Sequence, residues 1–103
     1  MNKLETRWAQ ELDFRRRAGD VAWYRFESIT LKLADGCRYT PDFLVCLADG
    51  EDGTPGTLEL QECKGFMRED AQVKIRICAE MYPWPLRLVR WVKGAWVETV
   101  MGI

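Results

Sequence analysis

The sequence contains no histidine and a single serine, Ser28. Histidine-based nucleophile activation and histidine-ligated zinc are therefore excluded. Catalysis must run on carboxylates, lysine, or a metal held by oxygen. Two short stretches carry such residues. In Leu58-Glu59-Leu60-Gln61-Glu62-Cys63-Lys64, the period of a strand puts Leu58, Leu60, Glu62 and Lys64 on one face. Glu59, Gln61 and Cys63 share the other. An apolar face that ends in Glu-x-Lys either leaves the core there or lines a cleft. Asp42 lies among the β-formers of Tyr39-Thr40-Pro41-Asp42-Phe43-Leu44-Val45, where aspartate is disfavoured. Two carboxylates held close repel one another, and a hard divalent cation such as Mg2+ (or Mn2+) relieves that repulsion while binding water and phosphate. A lysine beside them can hold or deprotonate an attacking water. The chemistry open to this set is phosphodiester hydrolysis.

These residues need elements that bring Asp42 to Glu62 and Lys64. Asn2 and Glu5 have the spacing of a capping box, and Leu4, Trp8 and Leu12 repeat every four residues with Ala9 beside them. The pattern predicts a helix over about 3–18, stopped by Gly19. A short irregular segment through Trp23 and Tyr24 follows. Alternation over Ser28 to Leu33, a turn at Asp35-Gly36 and a return over Arg38 to Leu47 predict a hairpin. Pro41 inside the returning strand implies an edge position or a bulge. Asp49 to Gly56 reads as a polar loop, and a third strand spans about 57–64. Glu69 and Asp70 favour a helix start, Ala71, Ile75, Cys78 and Tyr82 share a face, and Pro83 and Pro85 end that helix. Leu86 to Val92 is a further strand, with Ala95 to Val100 pairing back across Lys93-Gly94. The expected fold is α/β (α+β), with element order αβββαβ, a mixed central sheet and flanking helices.

With that order in hand, Pro41-Asp42 followed by Glu62-Cys63-Lys64 resembles the PD-(D/E)XK (restriction-endonuclease-like) nuclease superfamily, whose core is αβββαβ. Lys3-Leu4-Glu5, Arg38-Tyr39-Thr40-Pro41-Asp42-Phe43 and Glu62-Cys63-Lys64-Gly65 are similar to small phage and prophage nuclease-like members. The resemblance spans about residues 4 to 92. It implies that Asp42 and Glu62 ligate Mg2+ or Mn2+ together with the backbone carbonyl of Cys63, and that Lys64 positions or activates water. It also implies that Glu5 matches a helical glutamate found in many members, beside its reading as a helix cap. Many members carry a Gln or Lys on the following helix, and here Gln72 and Lys74 are both candidates. Arg76 stands where one branch carries a tyrosine four residues after the glutamine.

Composition sets the remaining bounds. A chain of 103 residues, 48% hydrophobic and 30% charged, fits one folded domain over 1–103. The net charge is −1, yet ten of the fifteen basic residues are arginine, which binds phosphate in bidentate fashion. Arg15-Arg16-Arg17 and the group Arg68, Lys74, Arg76 are candidate DNA contacts, although on charge alone a solvated helix face is the better explanation of such clusters. Cys37, Cys46, Cys63 and Cys78 form no CxxC pair, so neither a zinc knuckle nor a disulfide framework is expected. No uncharged run exceeds six residues, far short of the ~20 needed to cross a bilayer, and no apolar signal core is present. A cytoplasmic location follows, in the host cytoplasm if the chain is phage-encoded. Trp8 is expected in the core, Trp84 in a loop between prolines, and Trp91 and Trp96 in a terminal hairpin or a dimer interface. The leading expectation is a metal-dependent endonuclease acting on duplex or branched DNA, resolvase-like and homodimeric. The alternatives are a non-catalytic nucleic-acid-binding module that keeps the fold, and a small interaction protein.

Overall fold

A computed structural model describes residues 1–65 and 68–101. The chain runs α1 (Lys3–Arg17), β1 (Val21–Phe26), β2 (Leu31–Ala34), β3 (Cys37–Tyr39), β4 (Phe43–Leu47), β5 (Leu58–Cys63), α2 (Glu69–Met81), β6 (Leu86–Val92) and β7 (Ala95–Met101). The mixed α and β class expected from the sequence is present as a five-stranded mixed sheet with two helices. The sheet order is β1-β4-β5-β6-β7, and β2 pairs with β3 as a separate ribbon. All neighbours in the large sheet are antiparallel except β5 and β6, which are parallel and joined through α2. A parallel pair needs such a crossover, and the run from Ala71 to Tyr82 supplies its apolar face.

Both faces of the sheet are covered. On one side α1 packs Trp8 and Leu12 against Val21, Phe43, Val45 and Val89. On the other, Ile75, Cys78 and Ala79 of α2 meet Leu60, Leu86, and Leu33 and Tyr39 of the ribbon. The face of β5 carrying Glu59 and Gln61 is therefore buried rather than solvated, at 3% and 2% exposure. Its polar groups are paired. Trp8 Nε1–H donates to Gln61 Oε1 (2.8 Å), Gln61 Nε2–H to Glu59 Oε1 (2.9 Å), and the Arg87 guanidinium grips both Glu59 oxygens. Among the described residues no buried side-chain nitrogen or oxygen lacks a partner.

Three sequence expectations need correction. The segment through Trp23 and Tyr24 is a strand, β1, and an edge of the main sheet. A register shift between Val21 and Trp23 breaks its alternation, so no clean period of two is visible. The expected strand over 38–47 is split into β3 and β4, which belong to different sheets. Pro41 lacks an N–H for a ladder, and the chain turns there at Thr40-Pro41-Asp42. Asp42 thus sits at the entry of an interior strand, not in mid-strand, and the predicted hairpin survives only as the β2–β3 ribbon. By contrast β6 spans the expected residues, and β7 returns across Lys93 (φ 50°) and Gly94 (φ 79°). Two left-handed residues in succession are the requirement of a type I′ turn. Trp91 and Trp96 face each other across this hairpin, 4.9 Å apart edge to face. Trp84 is half-buried and stacks on Tyr82.

Candidate functional site

The pairing registers bring carboxylates from three strand ends into one row. Phe43 pairs with Gln61 and Phe26 with Phe43, so one step further Asp42 falls opposite Glu62, and Glu27 opposite Asp42. The chain follows that extension, since Glu27 N–H donates to the Asp42 carbonyl (2.8 Å). Carboxylate oxygens of Glu5, Glu27 and Asp42 lie within 4.8 Å of one another. Glu5 reaches this point from the first turn of α1. It also closes the capping box, accepting from Asn2 N–H while its own N–H donates to Asn2 Oδ1 (2.8 Å each). Both roles proposed for it are thus geometrically open to one side chain.

Asp42 and Glu62 are each held by a neighbour. Asp42 Oδ2 accepts from Cys63 N–H at 2.8 Å, and Glu62 Oε1 accepts from the Tyr39 hydroxyl. Tyr39 arrives from β3, which explains what the small ribbon does at this end of the sheet. Burial, and then the charges of Glu62 and Asp42, push the tyrosine pKa upward, so its proton stays in place to be donated. Burial is also the first cause lifting Asp42, with the Glu62 charge second; its pKa is pushed up to about 8. Glu62 is raised by burial, with the Tyr39 hydrogen bond opposing. The Cys63 thiol is raised by burial and by Asp42, which makes it an inert packing group. A cluster of partly buried carboxylates without a counter-charge costs free energy, and an oxygen-only donor set of this kind suits a hard divalent ion.

Lys64 leaves β5 on the same side as Glu62. With Gln72, Ile75, Arg76, Leu88 and Met101 it lines a cavity of about 110 Å³. Of the two helical candidates, Gln72 lines this cavity together with Lys64; Lys74, two residues on and so about 200° round α2, is half-buried. Arg68 is exposed at the N-cap of α2 and lies 3.7 Å from Asp70. The arginine run sits at the far end of α1, about 15 Å along the axis from Glu5. Arg15 is drawn inward: its Nη1 and Nη2 donate to the two Glu98 oxygens (3.1 and 2.9 Å), and Nε to Glu11 (2.9 Å). Arg16 and Arg17 are exposed and pair with Asp13.

Glu27 and Tyr39 were not among the candidates from sequence. Tyr39 stands within the motif stretch, but its hydroxyl acquires a role only through the ribbon. Glu27 has the one available signal of an acid directly after an aromatic run, and that signal has meaning only once β1 is registered against β4. Its φ of 47° places a residue with a side chain in the left-handed region beside the cluster, and such backbone cost gathers at working sites. No helix among the described residues is long and apolar enough to cross a membrane. Comparison with protein families, characterised proteins and solved structures finds no match to this chain.

Proposed function

We propose that this chain is a divalent-metal-dependent deoxyribonuclease of the PD-(D/E)XK type, hydrolysing phosphodiester bonds at Asp42, Glu62 and Lys64. In this reading α1, β1, β4, β5, α2 and β6 are the αβββαβ core, the β2–β3 ribbon is an insertion and β7 an addition. The observation that carries the proposal is the gathering of the Glu5, Glu27 and Asp42 carboxylates within 4.8 Å of one another, with Glu62 one register step on, opposite Asp42, and Lys64 next on its strand face. Ionised acids gathered from α1, β1, β4 and β5 repel one another, and a divalent cation among them relieves that repulsion.

Asp42, Glu62 and the Cys63 carbonyl are the proposed protein ligands, and Glu5 and Glu27, whose carboxylates lie within 4.8 Å of that of Asp42, would complete the set. When bound, Mg2+ or Mn2+ supplies positive charge to the phosphate and lowers the pKa of water. The remaining work falls to the chain. The Cys63 N–H and the Tyr39 hydroxyl hold Asp42 and Glu62 in fixed rotamers, which orients their outer oxygens. Lys64 holds the attacking water and a non-bridging phosphate oxygen. Water attacks phosphorus and releases its proton to solvent, the bond to the leaving oxygen breaks, and that oxygen takes a proton from solvent. Gln72 and Arg76, lining the cavity with Lys64, contact phosphate.

Purified protein incubated with junction, duplex and single-stranded DNA tests the reading. Cleavage is expected with Mg2+ or Mn2+ and not with EDTA. Asp42→Asn and Lys64→Ala should each lower the rate by about 10²-fold or more. Cleavage that persists in both variants sinks the site assignment. Binding without cleavage, and without Mn2+ uptake in calorimetry, makes the chain a DNA-binding module instead.

A further inference from the structure

The ribbon-side face of the sheet is open at its β1 edge. Trp23 pairs with Cys46 and Arg25 with Leu44, so Trp23 and Arg25 stand on the same face as Leu60 and Glu62. Trp23 is 37% exposed although it is the largest side chain of its strand, and the Arg25 guanidinium lies 5.7 Å from its ring centroid. With Ser28, Ile29 and Leu44 these two residues line a groove of about 380 Å³. The groove adjoins the carboxylate row. Arg25 and Leu44 are each two residues from Glu27 and Asp42, a strand distance of about 7 Å, close to one nucleotide step of an extended strand. An exposed tryptophan, a cation beside its ring and an apolar floor form a platform for a base with its phosphate. A base inside a duplex is paired and stacked, and its faces are not offered.

We infer that this groove stacks one unpaired nucleobase on Trp23, with Arg25 on the neighbouring phosphate, so that unpaired DNA is the substrate class of the site. The inference rests on the nuclease reading for its chemistry but not for binding. Unpaired nucleotides occur in single strands and at branch points. Seating one here sets the next phosphate at the carboxylate row.

The test is fluorescence anisotropy in EDTA, where no cleavage intervenes, with a labelled oligothymidylate and a labelled duplex of the same length. Trp23→Ala should weaken oligothymidylate binding about tenfold and leave duplex binding unchanged. Trp23→Phe, which keeps an aromatic face and the packing, should retain most of the affinity. The groove is overturned if the wild-type protein does not bind oligothymidylate, if Trp23→Ala binds it normally, or if Trp23→Ala and Trp23→Phe lose both DNAs equally. The two readings fail separately. Metal-dependent cleavage with no effect of Trp23 removes the groove alone, whereas Trp23-dependent binding with no cleavage of any DNA removes the nuclease alone.

Discussion

Asp42 answers two demands at once, accepting the Cys63 N–H while standing in a partly buried cluster of acids. An unfolded aspartate titrates at about 3.9, whereas folded Asp42 keeps its proton to about 8. Between those values the native state binds a proton that the unfolded chain has released, so stability falls as pH rises through the window. Glu62 shifts in the same direction and adds to the effect. The thermal midpoint of the protein in EDTA is therefore expected to drop by several degrees from about pH 4 to pH 8, and Asp42→Asn should flatten most of that slope. Added Mn2+ should raise the midpoint, more at pH 8 than at pH 5, because binding an ion needs the ionised acids. A slope unchanged in Asp42→Asn contradicts the assignment. Glu5 offers a second separation. Glu5→Gln keeps a side chain able to close the capping box, so stability should hold while Mn2+ affinity in calorimetry falls several-fold. Asn2→Ala should do the reverse, costing about 1 kcal/mol in urea unfolding with Mn2+ affinity kept.

At the scale of elements, the buried polar path from Trp8 through Gln61 and Glu59 to Arg87 locks α1, β5 and β6 in one arrangement. Glu59 has 4% of its side chain exposed, and its charge is met by Arg87. Arg87→Ala leaves that carboxylate buried and unpaired, so a loss of about 3 kcal/mol or more is expected in urea unfolding. Replacing Glu59 by Gln in the same chain should recover part of it; no recovery would place the cost in packing rather than in charge. Nothing local in Leu-Glu-Leu-Gln-Glu-Cys announces this path. The sequence reads as one apolar and one polar face, and the polar face is buried only because α1 lies across it. What was legible came from local rules. Pro83 and Pro85 end α2, Lys93-Gly94 turns β6 into β7, and Asn2 with Glu5 starts α1. What was not legible depends on distant partners: β1 with its shifted register, the division of 38–47 between two sheets, and hence Glu27 opposite Asp42. The resemblance reached Asp42, Glu62 and Lys64 through their spacing. The residues that hold or extend that set, Tyr39 and Glu27, emerge from pairing across more than ten residues of chain.

At the scale of the whole molecule the two basic clusters of the sequence, Arg15–Arg17 and Arg68, Lys74 and Arg76, lie at different places, and a net charge of −1 does not average them. The run at the end of α1 is largely occupied. Arg15 lies 4.8 Å over the Trp8 ring with Glu98 and Glu11 on its guanidinium, and Arg15 in turn holds Glu98 below the usual carboxylate range. Arg16 and Arg17 share Asp13. The second group lies on α2 and at its start, where Arg76 lines a cavity with Lys64 beside the carboxylate row. Phosphate contacts release counterions, and each one lost lowers the salt dependence of binding by about one unit of slope. Arg76→Gln is therefore expected to flatten the plot of log affinity against log salt by about one unit, with unfolding unchanged. Arg15→Gln should leave that slope alone and cost about 2 kcal/mol of stability through lost charged hydrogen bonds. Anisotropy titrations of labelled DNA across a salt series, paired with urea unfolding of the same variants, distinguish the two. If Arg15→Gln changes the slope and Arg76→Gln does not, DNA lies along the far end of α1 rather than at the carboxylate row. The proposed strand path from the Trp23 groove past Asp42 to Arg76 then loses its last contact and is overturned.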